Sequence, residues 1–327
     1  MAFSLICFIL ILSQFFKPIR NIFLLLPSIF ITLITWQCGQ TTEIYTRMSY
    51  VNLLIGFLAV IVVSERISFD VRFLGKFMAL FILANSTFLM CQIFGITNYL
   101  ITDVYPNATG FLQFPWVMGV VATLSIPLIW AFSPICIIAT LPMIFYSHSL
   151  ICAAVAFISV LYLSVGTKSF FILMGLGIAA IVLFLLFSDR NIDEHRFIIW
   201  KKAIFYSKDQ IMGNGLGTWA HKGFRRDVNG ANMWWRWAHN EPYQVMFETG
   251  ISGLALMLAY LSRLFTVSHR SLKCFLAGMF VLSLFHPIFH SGKLAVFILI
   301  GIALVESTRK QFNFIEFKKN HIVGDAS

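Results

Sequence analysis

Long runs of apolar residues, separated by short polar loops, follow one another along almost the whole 327-residue chain. An α-helix needs about 20 mostly apolar residues to cross the core of a bilayer, and about eleven runs come near this length. The pattern therefore predicts an all-α, polytopic integral membrane protein with about 10 to 12 transmembrane helices. The predicted spans are 2–16, 22–36, 48–64, 73–94, 112–132, 134–147, 149–165, 169–187, 242–262, 272–288 and 292–306.

One long polar segment, residues 188–240, interrupts this pattern. It holds nine Lys and Arg residues, five Asp and Glu residues and five tryptophans. The hydropathy pattern thus divides the chain into four parts. They are N-terminal transmembrane helices (1–187), a large loop (188–240), C-terminal transmembrane helices (241–308) and a tail (309–327).

The composition agrees with a membrane protein. Apolar residues make up 59% of the chain and charged residues 12%, about half of what soluble domains carry. The net charge of +10 does not indicate nucleic acid, because no nucleic-acid motif accompanies it. The six cysteines form no CxxC pair and no zinc-like cluster with histidine. We therefore predict no metal, no cofactor and no nucleic-acid partner.

The loop charges predict an orientation in the membrane. Lys and Arg residues recur on alternate loops, and such residues accumulate on the cytoplasmic side. Loop 95–111 has none, which places it outside. The same alternation places 188–240 outside and the tail 309–327 inside, because long translocated loops follow the rule only weakly.

The large loop carries the candidate chemistry. Arginine binds phosphate through two parallel hydrogen bonds and stays charged at any working pH. An imidazole, here His239 where a span emerges into water, exchanges a proton near neutral pH. The alternative roles are contact with lipid headgroups for the arginines and capping or packing for His239. The arginines are Arg196, Arg225, Arg226 and Arg236.

Glycines and one carboxylate complete the candidate set. Gly213, Gly215 and Gly217 lack the strand and the spacing of a dinucleotide fingerprint. They indicate either a flexible turn or a loop whose exposed amides meet an anion. Glu248 lies about two helical turns into the next span, where an ionisable group is a functional candidate or the partner of a cation.

Four short blocks in this region resemble, in order and spacing, the O-antigen ligase and polymerase superfamily. The resemblance extends over about 60 residues, and the surrounding hydropathy agrees with it. Residues 194–207, which contain the first block, have helical periodicity, with Arg196, Ile199, Trp200 and Ala203 on one face. The blocks are Arg196-Phe-Ile-Ile-Trp200, Gly213-Asn-Gly-Leu-Gly217, His239-Asn240-Glu-Pro-Tyr243 and Glu248-Thr-Gly250-Ile-Ser-Gly253.

The resemblance implies an enzyme of the bacterial inner membrane that acts on its periplasmic face without a metal. Such enzymes transfer a glycan from undecaprenyl diphosphate to an acceptor. The expected acceptor is lipid A–core, as in a ligase, and the alternative is a second lipid-linked glycan, as in a polymerase. A transporter or flippase is the less favoured alternative.

The resemblance also implies roles for individual residues. Arg196 steadies the leaving diphosphate, and His239 acts as the base or instead hydrogen-bonds the diphosphate, so these two are the expected catalytic residues. The expected substrate-binding residues are Arg225, Arg226, Arg236, Gly213, Gly215, Gly217, Asn240, Tyr243 and Glu248.

The chain departs from the family pattern at two places. Relatives often carry an arginine ahead of a Thr-Gly-Phe sequence, where this chain has Asn107, and a Ser-Arg pair where it has Ser147-His148. No Lys or Arg occurs between Lys76 and Lys168. We therefore expect the long loop to supply any charge that the diphosphate requires.

Overall fold

A computed structural model describes about half of the chain. In the described residues the fold is α-helical, apart from one two-stranded β-hairpin. The predicted spans before residue 70 and the span 169–187 lie outside the described residues. The described residues are 70–97, 112, 114–165, 199–201, 203–205, 211–215, 218–221, 225–228, 231–234, 238–289, 294–295 and 297–309.

Three of the described helices are long and apolar enough to cross a membrane, namely Val71–Ile93, Pro115–Phe132 and Glu241–Leu264. They coincide with the predicted spans 73–94, 112–132 and 242–262. The prediction of about eleven spans in total and of an outer loop stays a prediction. The helices are α1 (Val71–Ile93), α2 (Pro115–Phe132), α3 (Leu141–Tyr146), α4 (Leu150–Ser164), α5 (Thr218–His221), α6 (Glu241–Leu264) and α7 (Arg270–Ser283).

The segment before α3 is a seven-residue 3₁₀ helix, Pro134–Thr140. Together with α3 it reaches about 23 Å, at about 2.0 Å per 3₁₀ residue and 1.5 Å per α residue. A hydrocarbon core is about 30 Å thick. The predicted span 134–147 is thus helical but shorter than a full crossing.

The described residues fall into two units. The first contains α1 to α4 and α7 up to residue 282. The second contains the helical residues 199–205 (202 apart), α5, the hairpin, α6, the turn 284–289 and the final helical residues 297–309. The described residues of the large loop group with α6 in the second unit. The hydropathy-based division of the chain stays a prediction.

Helix α2 is the core of the first unit, with every residue from Val117 to Ile129 buried. Glycine allows neighbouring elements to approach it closely. A Cβ on Gly119 would lie 2.5 Å from the Cβ of Ser147, and one on Gly75 of α1 would lie 2.3 Å from the Leu128 carbonyl oxygen. Small residues at such contacts are typical of helices packed within membranes.

The second unit is built along α6, whose 24 residues extend over about 36 Å. At its C-terminal end, Arg263 lies 3.6 Å and Arg309 3.2 Å from the fully buried Glu306 carboxylate. Both arginines therefore lie at the same end of this unit. The His239 end of α6 is the opposite one.

The hairpin is a feature that the sequence analysis treated only as a polar loop. β1 (Arg225–Val228) pairs antiparallel with β2 (Ala231–Trp234), with Arg225 opposite Trp234 and Val228 opposite Ala231. The sequence between the strands is Asn229-Gly230. This dipeptide is the strongest short-range signal for a two-residue hairpin turn, so the hairpin was predictable.

Candidate functional site

Six of the predicted site residues are described in full, and all six belong to the second unit. Arg196, Gly217 and Arg236 lie outside the described residues. Arg225 and Arg226 lie on β1, where only the backbone is described. The six residues are Gly213, Gly215, His239, Asn240, Tyr243 and Glu248.

The backbone of His239 is unusual. Its φ angle is +52°, in the left-handed region that residues other than glycine rarely adopt. Such a conformation costs on the order of 1–3 kcal/mol and persists only where the surrounding structure fixes it. His239 is half-buried and directly precedes α6. We call residues 238–240 the His239 turn.

Both peptide groups of Ala238 are held by side chains. The indole Nε1–H of Trp200 donates to the Ala238 carbonyl oxygen at 2.8 Å. The Ala238 N–H donates to Oε1 of Gln244 at 3.0 Å. Ala238 is only 2% exposed. The residue before His239 is therefore fixed from two directions.

The residue after His239 is fixed as well. Asn240 caps α6, since its Oδ1 accepts from the Tyr243 N–H at 3.0 Å. Its Nδ2 donates to the Leu284 carbonyl oxygen at 3.0 Å. The neighbouring Glu241 is fully buried, and its Oε1 accepts from the Phe289 N–H at 2.6 Å. The start of α6 is thus tied to the turn that follows α7.

Aromatic contacts join the first and third sequence blocks. The ring of Trp200 stacks on Tyr243, with centroids 5.5 Å apart and an angle of 28° between the planes. The indole N–H of the same side chain donates to Ala238, the residue before the third block.

A small hydrophobic core lies beside this contact. Trp219 is fully buried and meets Phe247 edge to face, with ring centroids 5.2 Å apart. Ile199 and Ala203 pack into the same cluster, which confirms the predicted helical face for the described residues of 194–207. The sequence analysis assigned no role to Trp219. Its burial shows that it is a core residue of this unit.

Helix α6 is broken at Gly250, and residues 211–215, which we call the glycine loop, complete it. Gly250 has φ +73° and ψ −173°, which interrupts the helical hydrogen bonds. The carbonyl oxygens of Phe247 and Glu248 accept instead from the N–H groups of Asn214 and Gly215, each at 2.9 Å. Backbone groups inside a membrane must find protein partners of this kind.

The second and fourth sequence blocks meet at this break. A Cβ on Gly250 would lie 2.0 Å from the Ile211 carbonyl oxygen, and one on Gly213 would lie 2.4 Å from the Gly250 nitrogen. These two positions therefore require glycine for a direct backbone contact. Because the amides of Asn214 and Gly215 donate within the protein, they are not directed at an anion. A binding role for the predicted glycines stays a prediction.

Glu248 faces the interior of the same unit. It is 1% exposed, and its Oε1 accepts from Nε2 of Gln244 at 3.2 Å. Glu241, Gln244 and Glu248 follow one another at i, i+3 and i+7 and so share one face of α6. The sequence analysis did not single out Glu241 or Gln244. Their spacing relative to Glu248 is the signal that could have identified them.

The arrangement presents an imidazole on a fixed backbone at the N-terminal end of a helix. An imidazole in such a place can accept a proton from a hydroxyl group or donate a hydrogen bond to an anion. Within the described part of the chain, no group of three or more His, Cys, Asp or Glu side chains is placed to hold a metal ion.

Comparison of the chain with known protein families and with curated proteins found no match. The resemblance to the ligase and polymerase superfamily therefore rests on the four sequence blocks themselves. What the structure adds is the way in which these blocks contact one another.

Proposed function

We propose that the protein is a membrane glycan transferase of the O-antigen ligase type. It moves a glycan from undecaprenyl diphosphate to lipid A–core on the periplasmic face of a bacterial inner membrane. The alternative within the same class is a polymerase, whose acceptor is a second lipid-linked glycan. The described helices long enough to cross a membrane agree with this setting.

One observation carries the proposal: the four blocks contact one another in two pairs, the first with the third beside His239 and the second with the fourth at the Gly250 break of α6. Trp200 of the first block stacks on Tyr243 of the third and donates to Ala238, the residue before that block. The glycine loop of the second block completes the broken helix of the fourth. A set of residues that matched a family pattern only by chance would have no physical reason to meet.

In the proposed reaction, a hydroxyl group of the acceptor attacks the anomeric carbon of the donor sugar. The hydroxyl proton passes to the imidazole of His239 as the new glycosidic bond forms. The bond between the sugar and the diphosphate breaks, and undecaprenyl diphosphate leaves with the bonding electrons. A positioned base of this kind contributes a factor of about 10²–10⁴ in rate.

The leaving diphosphate gains charge as this bond breaks, and fixed cations in a desolvated site stabilise such charge strongly. We assign this role to Arg196, assisted by one of Arg225, Arg226 and Arg236. Membrane lipid surrounds the polyprenyl chain of the donor. Asn240 and Tyr243 shape the site in which the sugar and the diphosphate bind, and the buried Glu248 supports the start of α6 from the interior.

The test is a transfer assay with the purified protein in lipid vesicles. Lipid-linked repeat units are supplied with and without lipid A–core, and the size and the carrier of the glycan are measured. A ligase transfers the glycan to lipid A–core only when that acceptor is present. A polymerase lengthens the chain on its lipid carrier without it. Absence of both products under conditions in which the protein stays folded would reject the proposal.

The break at Gly250 favours one further candidate, a transporter or flippase for the same lipid-linked glycan. Broken membrane helices are typical of transporters, where the interrupted backbone lines a binding cavity. Here the carbonyl oxygens at the break are bonded to the glycine loop, which favours the enzyme. Movement of lipid-linked glycan across the vesicle membrane with its linkage intact would instead establish the transporter.

A further inference from the structure

The first two turns of α6 carry a buried polar pair that the proposed reaction does not use directly. Gln244 is 2% exposed and Glu248 is 1% exposed, although both side chains are polar. Polar groups buried this deeply are almost always hydrogen-bonded, and each partner limits the positions that the others can take. The contacts of this pair lead directly to the His239 turn.

The neighbours of Gln244 fix the orientation of its side-chain amide. A backbone N–H can only donate, so the atom that faces the Ala238 N–H at 3.0 Å must be the amide oxygen, Oε1. Nε2 then faces Glu248, whose Oε1 accepts from it at 3.2 Å. The reversed amide would set two donors against each other at Ala238. Glu248 therefore holds Gln244 in the one orientation that can bind Ala238.

The bond to Ala238 matters because of where it lies. The Ala238 N–H belongs to the residue immediately before His239, whose backbone is left-handed. A small rotation there would swing the imidazole of His239 through a large arc. Misplacement of a reacting group by about 1 Å can cost about a hundredfold in rate.

We propose that Gln244, held by Glu248, is the positioning residue for His239 and sets the direction from which the imidazole reaches the substrate. This inference rests on the proposed function. It adds a residue that acts on the reaction through Ala238 without touching the substrate. The carboxylate of Glu248 serves here as a hydrogen-bond acceptor for Gln244.

Two variants test this inference. Gln244→Met keeps the length of the side chain and removes both hydrogen bonds. The double variant Gln244→Glu with Glu248→Gln exchanges the two groups. In it, one carboxylate oxygen at position 244 still accepts from Ala238, and the other accepts from the new amide at position 248. Gln92→Met is the matched control, because Gln92 is a buried glutamine on α1 in the other unit.

Two readouts are needed for each variant in lipid vesicles or nanodiscs. The first is the transfer rate, separated into kcat and KM for the lipid-linked donor. The second is amide hydrogen exchange of the peptide that contains residues 238–240, measured by mass spectrometry. We expect Gln244→Met to lower kcat about 10- to 100-fold with KM little changed, and to accelerate exchange in this peptide. The double variant restores both readouts, and Gln92→Met changes neither.

Several results would overturn the inference. Exchange in 238–240 that is unchanged in Gln244→Met would show that Gln244 does not hold the turn. Faster exchange with unchanged kcat would show that the hydrogen bond between Gln244 and Ala238 does not matter for transfer. If Gln244→Met does not fold, the double variant decides alone, and a folded double variant without transfer contradicts the proposal. An inactive wild-type protein would reject the proposed function instead, while hydrogen exchange would still report whether Gln244 holds Ala238.

Discussion

Two turns of the molecule, one in each unit, have nearly the same backbone and very different surroundings. His148 has φ +51° and His239 has φ +52°. Each histidine is followed by a residue that caps a helix. Ser149 accepts from the Cys152 N–H at 3.4 Å, and Asn240 accepts from the Tyr243 N–H at 3.0 Å. Locally, the two turns are equivalent.

The difference lies in how each turn is held. At His148, which is exposed, the Ser147 hydroxyl donates to Ile144 at 2.6 Å and accepts from Ser149 at 3.3 Å, so these bonds come from near neighbours. The His239 turn is held by Trp200, 38 positions from Ala238, and by Leu284, 44 positions from Asn240. A histidine with a left-handed backbone can thus arise from the local sequence alone. Its fixation by residues far away in the sequence indicates a functional site.

The largest effect is expected from Gly250→Ala, which disrupts a long-range backbone contact in the unit that contains the His239 turn. The new Cβ would lie 2.0 Å from the Ile211 carbonyl oxygen, so the glycine loop must separate from α6. We expect a loss of at least about 3 kcal/mol of stability, since steric overlap and a positive φ both contribute. The temperature at which half of the purified protein aggregates measures this loss.

The matched control is Gly95→Ala, because Gly95 has φ +69° but no neighbouring atom within 4 Å of a new Cβ. It should cost only about 1–2 kcal/mol, the penalty of the backbone conformation. Equal losses in the two variants would mean that the close approach at Gly250 does not exist.

A smaller effect is expected from Trp200→Phe, which tests the hydrogen bond to Ala238. It keeps an aromatic ring that can stack on Tyr243 and removes the N–H that donates to the Ala238 carbonyl oxygen. We expect about 1–3 kcal/mol of lost stability, because a buried acceptor is left without this donor. We also expect about a tenfold lower transfer rate, because the backbone before His239 is loosened.

Thermal stability and transfer by the Trp200→Phe protein are measured in parallel. Transfer at the wild-type rate together with reduced stability would mean that the bond to Ala238 supports the fold alone.

The smallest effect comes from the two helix caps. Ser149→Ala removes a cap, which typically costs about 1 kcal/mol. Asn240→Ala removes a cap and also the hydrogen bond to Leu284, which adds about 1 kcal/mol. The melting temperature should therefore fall about twice as far for Asn240→Ala. Equal decreases would show that the bond to Leu284 contributes nothing.

The sequence predicted the membrane helices well where hydropathy alone decides. In lipid, the long apolar runs of α1, α2 and α6 can satisfy their backbone hydrogen bonds within one segment only as α-helices. Their predicted bounds agree closely with the structure. The run 134–147 was less clear, because apolar composition does not distinguish a 3₁₀ start from an α-helix. The hairpin was missed although Asn229-Gly230 indicated it.

The residues of the candidate site could be proposed from the sequence, but their contacts could not. His239 and Glu248 were named from their types and positions, and Asn240 and Tyr243 from the family resemblance. Their mutual support was not, because it depends on pairs separated by tens of residues, such as Trp200 with Ala238. The break at Gly250 was also hidden, since a glycine within an apolar run does not reveal which loop will pack against it.

The most direct test of the account compares the two histidines in the same transfer assay. Asparagine tolerates a left-handed backbone, so His239→Asn and His148→Asn each remove an imidazole while preserving the turn. With equal amounts of folded protein in the vesicles, we predict that His239→Asn lowers glycan transfer about 10²- to 10⁴-fold. We predict that His148→Asn stays within about twofold of the wild type, because its exposed imidazole has no role in the proposed reaction. Wild-type transfer by His239→Asn, or an equal loss in both variants, would contradict the account.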